Sequence, residues 1–188
     1  MLRLYLRSLF APPVSEPPPE PDPRALDELA RALAQRARHR LGRSLAIRQV
    51  DAGSCNGCEL EIHALDSAVY ALERHGIRFV ASPKHADVLL VTGPVTRNMA
   101  FALQRAFDCT PPPRWVVAAG DCACGCGVFA PSYALAGEDG AVERVIPVDL
   151  HIRGCPPTPL DLLRGLLALL EAADGRIAPA AGVPPRTG

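Results

Sequence analysis

Three short cysteine-bearing loops constrain this 188-residue chain more than any other feature, because each begins where a short apolar run ends. Short apolar runs bounded by glycine and proline are typical of buried strands. The loops span residues 51–58, 120–127 and 153–157, and they offer one cysteine pair and two single contributors as ligand candidates: Cys55, Cys58, Cys122 and Cys155. Since groups bound by open α/β sheets collect outside the carboxyl ends of the strands, we expect the three loops to converge at one edge of a sheet.

Apolar runs and helical patterns alternate along the chain, which favours an α/β fold. The strand candidates are residues 45–50, 77–80, 88–91, 115–119 and 148–152. The helix candidates run from Asp22 to Gly42, from about Ile62 to Gly76, from about Asn98 to Asp108, and from Thr158 onwards, with Pro159 in the first helical position. Such alternation predicts a parallel sheet covered by helices on both faces.

The ends of the chain differ in composition from the middle. Residues 1–44 begin with an amphipathic segment, Met1–Phe10, continue through a proline-rich linker, and end in the first predicted helix, which we interpret as a docking helix. The segment is too short and too often interrupted by arginine to span a bilayer. It therefore either lies at a membrane interface or against a partner protein, or it is a terminal segment that is ordered only by packing. Residues 45–175 form the α/β domain, and residues 176–188 are expected to be a flexible tail.

The balance of charge and the number of cysteines exclude some functions. The formal net charge is +0, with 20 basic and 20 acidic residues, so nothing in the composition indicates a nucleic-acid partner. Seven cysteines framed by glycine and proline are typical of ligand loops rather than of a secreted disulfide scaffold, and they favour a reducing compartment. Because the N-terminal apolar segment is too short to span a bilayer, we expect a soluble or peripheral protein.

The first loop contains a Cys-x-x-Cys pair, which by itself does not distinguish zinc, an iron–sulfur cluster and a redox pair. Gly53 and Gly57 are expected to adopt left-handed conformations and to let the backbone approach a bulky group. With Cys122 and Cys155 added, four thiols are available, which is the number that a [4Fe–4S] cluster needs. Spacing favours this cluster over zinc, and both alternatives remain open at this point.

Several motifs resemble one known family in both order and residue type, between about Leu45 and Ala173. They are residues 55–61 (CNGCELE), 84–96 (KHADVLLVTGPVT), 120–123 (GDCA), 146–149 (IPVD) and 154–159 (GCPPTP). Together they resemble the small-subunit family shared by membrane-bound group 4 [NiFe]-hydrogenases, including formate hydrogenlyase, and the 20 kDa subunit of respiratory complex I.

The resemblance implies a flavodoxin-like parallel sheet with helices on both faces, here with an N-terminal helical extension, that carries one [4Fe–4S] cluster. It carries over Cys55, Cys58, Cys122 and Cys155 as the cluster ligands. The chain would be an oxidoreductase-complex subunit that relays electrons and holds no complete catalytic centre. Its implied partners are a catalytic large subunit, a ferredoxin-like iron–sulfur subunit and membrane subunits, on the cytoplasmic side of the cell membrane.

The first cysteine motif bears on which branch of the family the chain resembles. Complex I members typically have adjacent cysteines there, whereas Asn56 and Gly57 separate Cys55 from Cys58, as in the hydrogenase branch. We therefore favour a [NiFe]-hydrogenase or formate-hydrogenlyase type of complex. The alternative is the 20 kDa subunit of a complex I-type NADH:quinone oxidoreductase, which passes electrons to quinone.

Three further cysteines have no assigned role. Cys124 and Cys126 depart from the commoner form of the second loop, and they leave open which of its cysteines is the ligand; motif position favours Cys122. Cys109 is most simply interpreted as a free thiol.

A few polar residues near the loops have two interpretations. Glu61 either assists proton movement at a partner interface, as the family implies, or only interacts with the helix dipole. His151 and Arg153 flank the third loop and are candidates for raising a cluster potential. For His85, we favour a role in a structural hydrogen bond. No paired carboxylates or nucleophile with a base can be identified from the spacing, which argues against a hydrolase.

Overall fold

The structure of the protein is a computed structural model that describes residues 23–175. The amphipathic segment Met1–Phe10, the proline-rich linker and the tail at 176–188 lie outside the described residues. The helices are α1 (Pro23–Leu41), α2 (Gly57–Leu65), α3 (Arg97–Cys109) and α4 (Pro159–Gly175). The strands are β1 (Leu45–Asp51), β2 (Ile77–Phe79), β3 (Val88–Thr92), β4 (Trp115–Ala119) and β5 (Leu150–Ile152).

The five strands form one sheet in the order β2-β1-β3-β4-β5, and every neighbouring pair is parallel. This is the flavodoxin-like strand order, so the predicted fold class is confirmed. The order reverses between β1 and β3, which is where such sheets bind their ligands. The first cysteine loop leaves the sheet at this switch point, directly after β1.

Both faces of the sheet are buried, which explains why its strands are continuous apolar runs rather than alternating ones. On one face, Ile47, Leu90 and Val117 pack in a core that also contains Leu33 of α1 and Leu163 of α4. On the other face, the alternate strand residues form a second core with α3 and the segment before β5; its largest members are Leu89, Val91, Leu103 and Ile146.

Helix α1, which the sequence predicts as a docking helix, packs against α4 and β1. Leu33 and Ala37 on its apolar stripe are buried. The opposite face carries ion pairs with exposed partners, as expected for a solvated face: Arg31 pairs with Asp27 one turn earlier.

The predicted start of α4 is confirmed in detail. Thr158 Oγ1 accepts a hydrogen bond from the Asp161 backbone N–H at 3.2 Å, and Asp161 Oδ2 accepts from the Thr158 backbone N–H at 3.3 Å. This reciprocal pair satisfies donors that the first turn of a helix would otherwise leave without partners. The helix that follows the third loop is therefore fixed at its N-terminus.

The predicted helix from Ile62 to Gly76 is wrong in its second half. Helix α2 ends at Leu65, and a separate 3₁₀ helix covers Leu72–His75. Val69, which the periodicity places on the buried face, is 79% exposed. Asp66 and Ser67 follow the last helical residue, and short polar side chains of this kind favour turns over continued helix.

The amino ends of the strands are held by an ion pair between a buried carboxylate and an exposed arginine. Asp87 precedes β3 and is 1% exposed. Arg43 donates hydrogen bonds to both of its carboxylate oxygens, at 2.9 and 2.6 Å, and the Ala46 backbone N–H donates a third at 3.0 Å. Both oxygens of this buried carboxylate are therefore paired.

Among residues 23–175, none of the helices combines the length and the apolar character that a bilayer span requires.

Candidate functional site

The first cysteine loop is shaped by its own side chains. Asp51 Oδ1 accepts hydrogen bonds from the backbone N–H groups of Gly53 and Ser54, each at 2.8 Å, which turns the chain away from the end of β1. The left-handed residue between the two cysteines is Asn56, with φ 74°, and not Gly57 as predicted. Asparagine tolerates this conformation better than most residues do, so the turn does not require a second glycine.

The two cysteines of this loop have different positions. Cys55 is exposed and precedes the helix, whereas Cys58 is half-buried and lies in the first turn of α2. Gly57 leaves room between them: a Cβ at this position would lie 3.5 Å from Cys55 Sγ and 3.9 Å from Cβ of Pro156, the residue after Cys155. The first and third loops are therefore neighbours.

The second loop approaches the first through a glycine. A Cβ on Gly120 would lie 2.6 Å from Cys58 Sγ, and its φ of +93° is unfavourable for any other residue. Gly127 similarly packs on Cys122, since its Cβ would lie 2.2 Å from that sulfur. Glycine at both positions keeps the space around the sulfurs open.

The second and third loops are joined by backbone contacts. The Asp121 backbone N–H donates to the Gly154 carbonyl at 2.9 Å, and the Gly154 N–H donates to Asp121 Oδ1 at 2.9 Å. The Gly120 N–H also donates to the carbonyl of Ile152, the last residue of β5. Each pair of loops is thus in contact, and all three lie at the carboxyl edge of the sheet.

The thiols of Cys55, Cys58, Cys122 and Cys155 interact electrostatically. Burial raises the pKa of Cys58 to about 12, and negative charge on Glu59 and on the other three cysteines adds to the increase. Burial likewise raises the pKa of Cys122, with further contributions from Cys155 and Cys55. Four thiolates would therefore repel one another here unless a positively charged group lay among them.

Cys124 and Cys126 form a second, separate pair of thiols. Burial raises the pKa of Cys124 to about 11, and the next largest cause is the charge of Cys126. The exposed Cys126 Sγ accepts a hydrogen bond from Arg153 Nη1 at 3.0 Å. The charge of Cys126 thus acts on the pKa of Cys124, whereas those of Cys155 and Cys55 act on the pKa of Cys122. This difference bears on which cysteine of the second loop is the ligand, a question that the sequence left open.

One buried carboxylate at this edge was missed by the sequence analysis. Glu59 is 5% exposed, and its Oε2 accepts a hydrogen bond from Ser54 Oγ at 2.6 Å. Its Oε1 is also buried, and among the described residues it has no hydrogen-bond partner. The only available signal was its position directly after Cys58, which does not reveal burial.

The other residues that the sequence singled out lie as follows. Glu61 is half-buried in the middle of α2, and His85 is exposed at the end of a short 3₁₀ helix, Pro83–His85. His151 Nε2 lies 3.5 Å from Glu143. Cys109 is the exposed last residue of α3. Their predicted roles stay predictions.

Among residues 23–175, no group of three or more His, Cys, Asp or Glu side chains is arranged to hold a single metal ion. A [4Fe–4S] cluster makes a different demand, because its four irons are each bound by a separate thiolate. The loops at this edge of the sheet carry four such thiols, and glycines lie beside two of the sulfurs.

Comparison with known proteins connects this fold and this edge to one family. Residues 55–169 match the family described as the 20 kDa subunit of NADH ubiquinone oxidoreductase. The probable membrane-bound hydrogenase subunit mbhJ of Pyrococcus furiosus is 43% identical over 131 residues, which cover 70% of this chain and 77% of that protein. Formate hydrogenlyase subunit 7 of Escherichia coli is 40% identical over 154 residues, which cover 80% of this chain but only 59% of that subunit.

A solved structure shows the same likeness. A chain of the membrane-bound sulfane sulfur reductase, described as an archaeal respiratory membrane complex, superposes with a TM-score of 0.61 at 32% sequence identity. The match covers 77% of this chain and 76% of that one. By the extent of these matches, the chain belongs to the family of the 20 kDa subunit of NADH ubiquinone oxidoreductase, whose members are subunits of oxidoreductase complexes.

Proposed function

We propose that the chain is an electron-transfer subunit that holds one [4Fe–4S] cluster through Cys55, Cys58, Cys122 and Cys155. The observation that carries the proposal is the meeting of three strand-end loops, in which the charges of Cys55 and Cys155 add to the raised pKa values of Cys58 and Cys122. The cluster-binding domain comprises residues 45–175, residues 1–44 form an N-terminal extension that includes α1, and residues 176–188 form a tail.

The donor set supports an iron–sulfur cluster on chemical grounds. All four groups are thiols, which are the usual ligands of [4Fe–4S] clusters. In the protein without metal, burial and mutual repulsion favour the protonated forms of Cys58 and Cys122, so binding iron releases protons and offsets the repulsion. Once bound, such a cluster supplies reversible one-electron transfer.

The chain's own residues orient and shield the site. Cys122 is buried and is covered by Gly127. The backbone of Gly120 packs directly against Cys58 Sγ, with no room for a side chain between them. Arg153 and His151 place positive or titratable groups beside the third loop, which favours the reduced form of a bound cluster, while the buried carboxylate of Glu59 opposes it. These side chains therefore act on the potential of the site.

The complex that we propose is a membrane-associated [NiFe]-hydrogenase or formate-hydrogenlyase type. Two relatives bear these names, and Asn56 and Gly57 separate the first two cysteines as in that branch. The chain passes electrons to or from a catalytic large subunit, next to a ferredoxin-like iron–sulfur subunit and membrane subunits. It is peripheral, on the cytoplasmic side of the cell membrane.

A second candidate is the 20 kDa subunit of a complex I-type NADH:quinone oxidoreductase, which passes electrons to quinone. The family match favours it, because the family is described by its complex I member. The sequence of the large subunit encoded with this chain separates the two: four nickel-binding cysteines establish the hydrogenase type, and their absence establishes the quinone type.

The proposal is tested by metal analysis of the full-length chain, purified without oxygen, and by electron paramagnetic resonance after reduction. We expect about four irons and four sulfides per chain and a signal from one reduced cluster. Substituting any of the four cysteines by serine, as in Cys122→Ser, removes most of the iron, whereas Cys109→Ser leaves it unchanged. Stoichiometric zinc without iron would refute the cluster and identify a zinc-stabilised interaction module.

A further inference from the structure

Cys124 and Cys126 lie in one tight turn that directly follows Cys122, whose carbonyl accepts a hydrogen bond from the Gly125 backbone N–H at 3.2 Å. Gly125 between them is left-handed, with φ 78°. The Cys124 N–H donates to the Gly120 carbonyl at 3.2 Å and the Cys126 N–H to the Asp121 carbonyl at 3.0 Å, so the backbone folds back at both cysteines. Cα atoms two residues apart in such a turn are about 5–6 Å apart, within the range that a disulfide permits.

The two sulfurs have unequal surroundings. Cys126 is exposed, and its Sγ lies 3.0 Å from Arg153 Nη1 and 3.4 Å from the Asp121 carbonyl oxygen. Cys124 is half-buried against the second core, and its Sγ lies 3.9 Å from the Ala118 carbonyl oxygen. The Cys126 thiol is thus open to solutes. The Cys124 thiol, which belongs to the cysteine nearest in sequence, is partly shielded from them.

An exposed sulfur is accessible to oxidants, and the Arg153 guanidinium donates a hydrogen bond to this one. A second thiol within reach converts the first oxidation product to a disulfide before it is oxidised further. Both features are present in this turn. Cys109 is also exposed, but it lies at the end of α3, and the sequence places no other cysteine within ten residues of it.

We propose that Cys124 and Cys126 are an oxidisable dithiol, a modification site that hydrogen peroxide converts to a disulfide. The Cys126 sulfur attacks one peroxide oxygen, the O–O bond breaks, and water leaves after protonation, which gives the sulfenic acid. The Cys124 thiol then attacks this sulfur, the S–OH bond breaks, and a second water leaves. Two thiols lose two electrons and two protons, and one peroxide is reduced to two waters.

The disulfide alters the contact between two loops. Bond formation consumes the Cys126 thiol that accepts the hydrogen bond from Arg153, which lies two residues before Cys155. The guanidinium then faces the third loop without its sulfur partner. Oxidation therefore changes the charge distribution at the carboxyl edge of the sheet without requiring any of the four thiols there to react.

The test uses the full-length chain, purified without oxygen and treated with one equivalent of hydrogen peroxide for increasing times. Free thiols are blocked with light iodoacetamide, disulfides are then reduced and labelled with heavy iodoacetamide, and each cysteine is assigned by tandem mass spectrometry. We expect Cys124 and Cys126 to acquire the heavy label together, several-fold faster than Cys109. Equal rates at Cys109 and Cys126, or a disulfide from Cys126 to Cys122, would overturn the proposal.

Two variants test the order of the steps, and both are conservative enough to keep the turn. In Cys124→Ser, the sulfenic acid at Cys126 has no partner and is trapped by dimedone. In Cys126→Ser, we expect Cys124 to stay in the light-labelled fraction, and its oxidation at the wild-type rate would contradict the mechanism. Arg153→Gln is expected to slow the oxidation of Cys126 several-fold, and an unchanged rate would count against the role of the guanidinium.

Discussion

Two buried carboxylates lie at opposite ends of the sheet, and they differ in how completely their oxygens are paired. Asp87, at the amino ends of the strands, accepts two hydrogen bonds from Arg43 and one from the Ala46 backbone. Glu59, at the carboxyl ends, accepts one from Ser54 through Oε2, and its buried Oε1 has no partner among residues 23–175.

The difference indicates that the two ends of the sheet have different roles, one in stability and one in function. A buried polar atom without a partner costs free energy, so a fold optimised only for stability does not retain one. The amino end satisfies its buried charge and stabilises the fold. The carboxyl end departs from this rule beside Cys58, and departures of this kind concentrate at functional sites.

The largest effect on stability is expected at the amino end. Arg43→Ala leaves the Asp87 carboxylate buried without its charged partner and should lower the free energy of unfolding by about 2–3 kcal/mol. The measurement is urea unfolding. Arg31→Ala is the matched control, because its ion pair with Asp27 is exposed and should contribute less than about 0.5 kcal/mol. Equal losses in the two variants would remove the distinction between an ion pair with a buried carboxylate and one with both partners exposed.

A somewhat smaller effect on stability is expected at the carboxyl edge, together with a change in the site. Gly120→Ala forces a left-handed conformation on alanine, which costs about 1–2 kcal/mol, and places a Cβ 2.6 Å from Cys58 Sγ. We expect this variant to purify with less iron than the wild type. Gly42→Ala has a similar φ, +65°, but no atom of the described residues 23–175 lies within 4 Å of its Cβ, so it should lose stability and keep its iron. Iron loss in both variants would show that strain alone causes it.

Removing the charge of Glu59 should change the free energy of unfolding little but should change the pKa of the Cys58 thiol measurably. Glu59→Gln keeps the shape of the side chain, and we expect the free energy of unfolding to change by less than about 1 kcal/mol. Because the Glu59 charge helps to raise the pKa of Cys58, the variant should lower that pKa, while burial, the larger cause, keeps it above its ordinary value. The pH dependence of Cys58 alkylation in the metal-free chain measures this, with Glu61→Gln as the control that should leave it unchanged.

The smallest expected effect is a fall in the free energy of unfolding at high pH. In the metal-free chain the pKa of Cys58 is raised from 9.0 to about 12, so above pH 9 the unfolded chain loses a proton that the folded chain keeps. The free energy of unfolding should therefore fall as the pH rises from about 9 towards 12. Urea unfolding at several pH values measures the slope, and Cys58→Ser should reduce it. A slope that Cys58→Ser leaves unchanged would assign the effect to other groups.

Most of the fold could be predicted because it is determined by local patterns. Strands buried on both faces are continuous apolar runs, and β3 and β4 were located to within one residue. The predicted helix from Ile62 to Gly76 failed because its apolar spacing persists through a turn at Asp66, where the chain leaves the helix and returns to the core at Leu72. Periodicity records which residues are buried, but not whether one element or two bury them.

The electrostatic environment of the site could not be predicted, because it depends on residues that are distant in sequence. The contact of Arg153 with Cys126 joins residues 27 positions apart, and that of Arg43 with Asp87 joins residues 44 apart. Glu59 is buried although it lies in the first turn of α2, where the local sequence does not require burial. None of these contacts leaves a signal in the spacing of residue types.

By itself, the sequence determined the parallel α/β fold and the placement of cysteines after three of its strands, because apolar periodicity and strand-end loops are local properties. Only the tertiary structure decided how the thiols at the carboxyl edge are grouped. It couples Cys122 to Cys55, Cys58 and Cys155, and it couples Cys124 to Cys126 beside Arg153. The reason is that the direction of a side chain in a loop is set by the turn and by the loops packed against it.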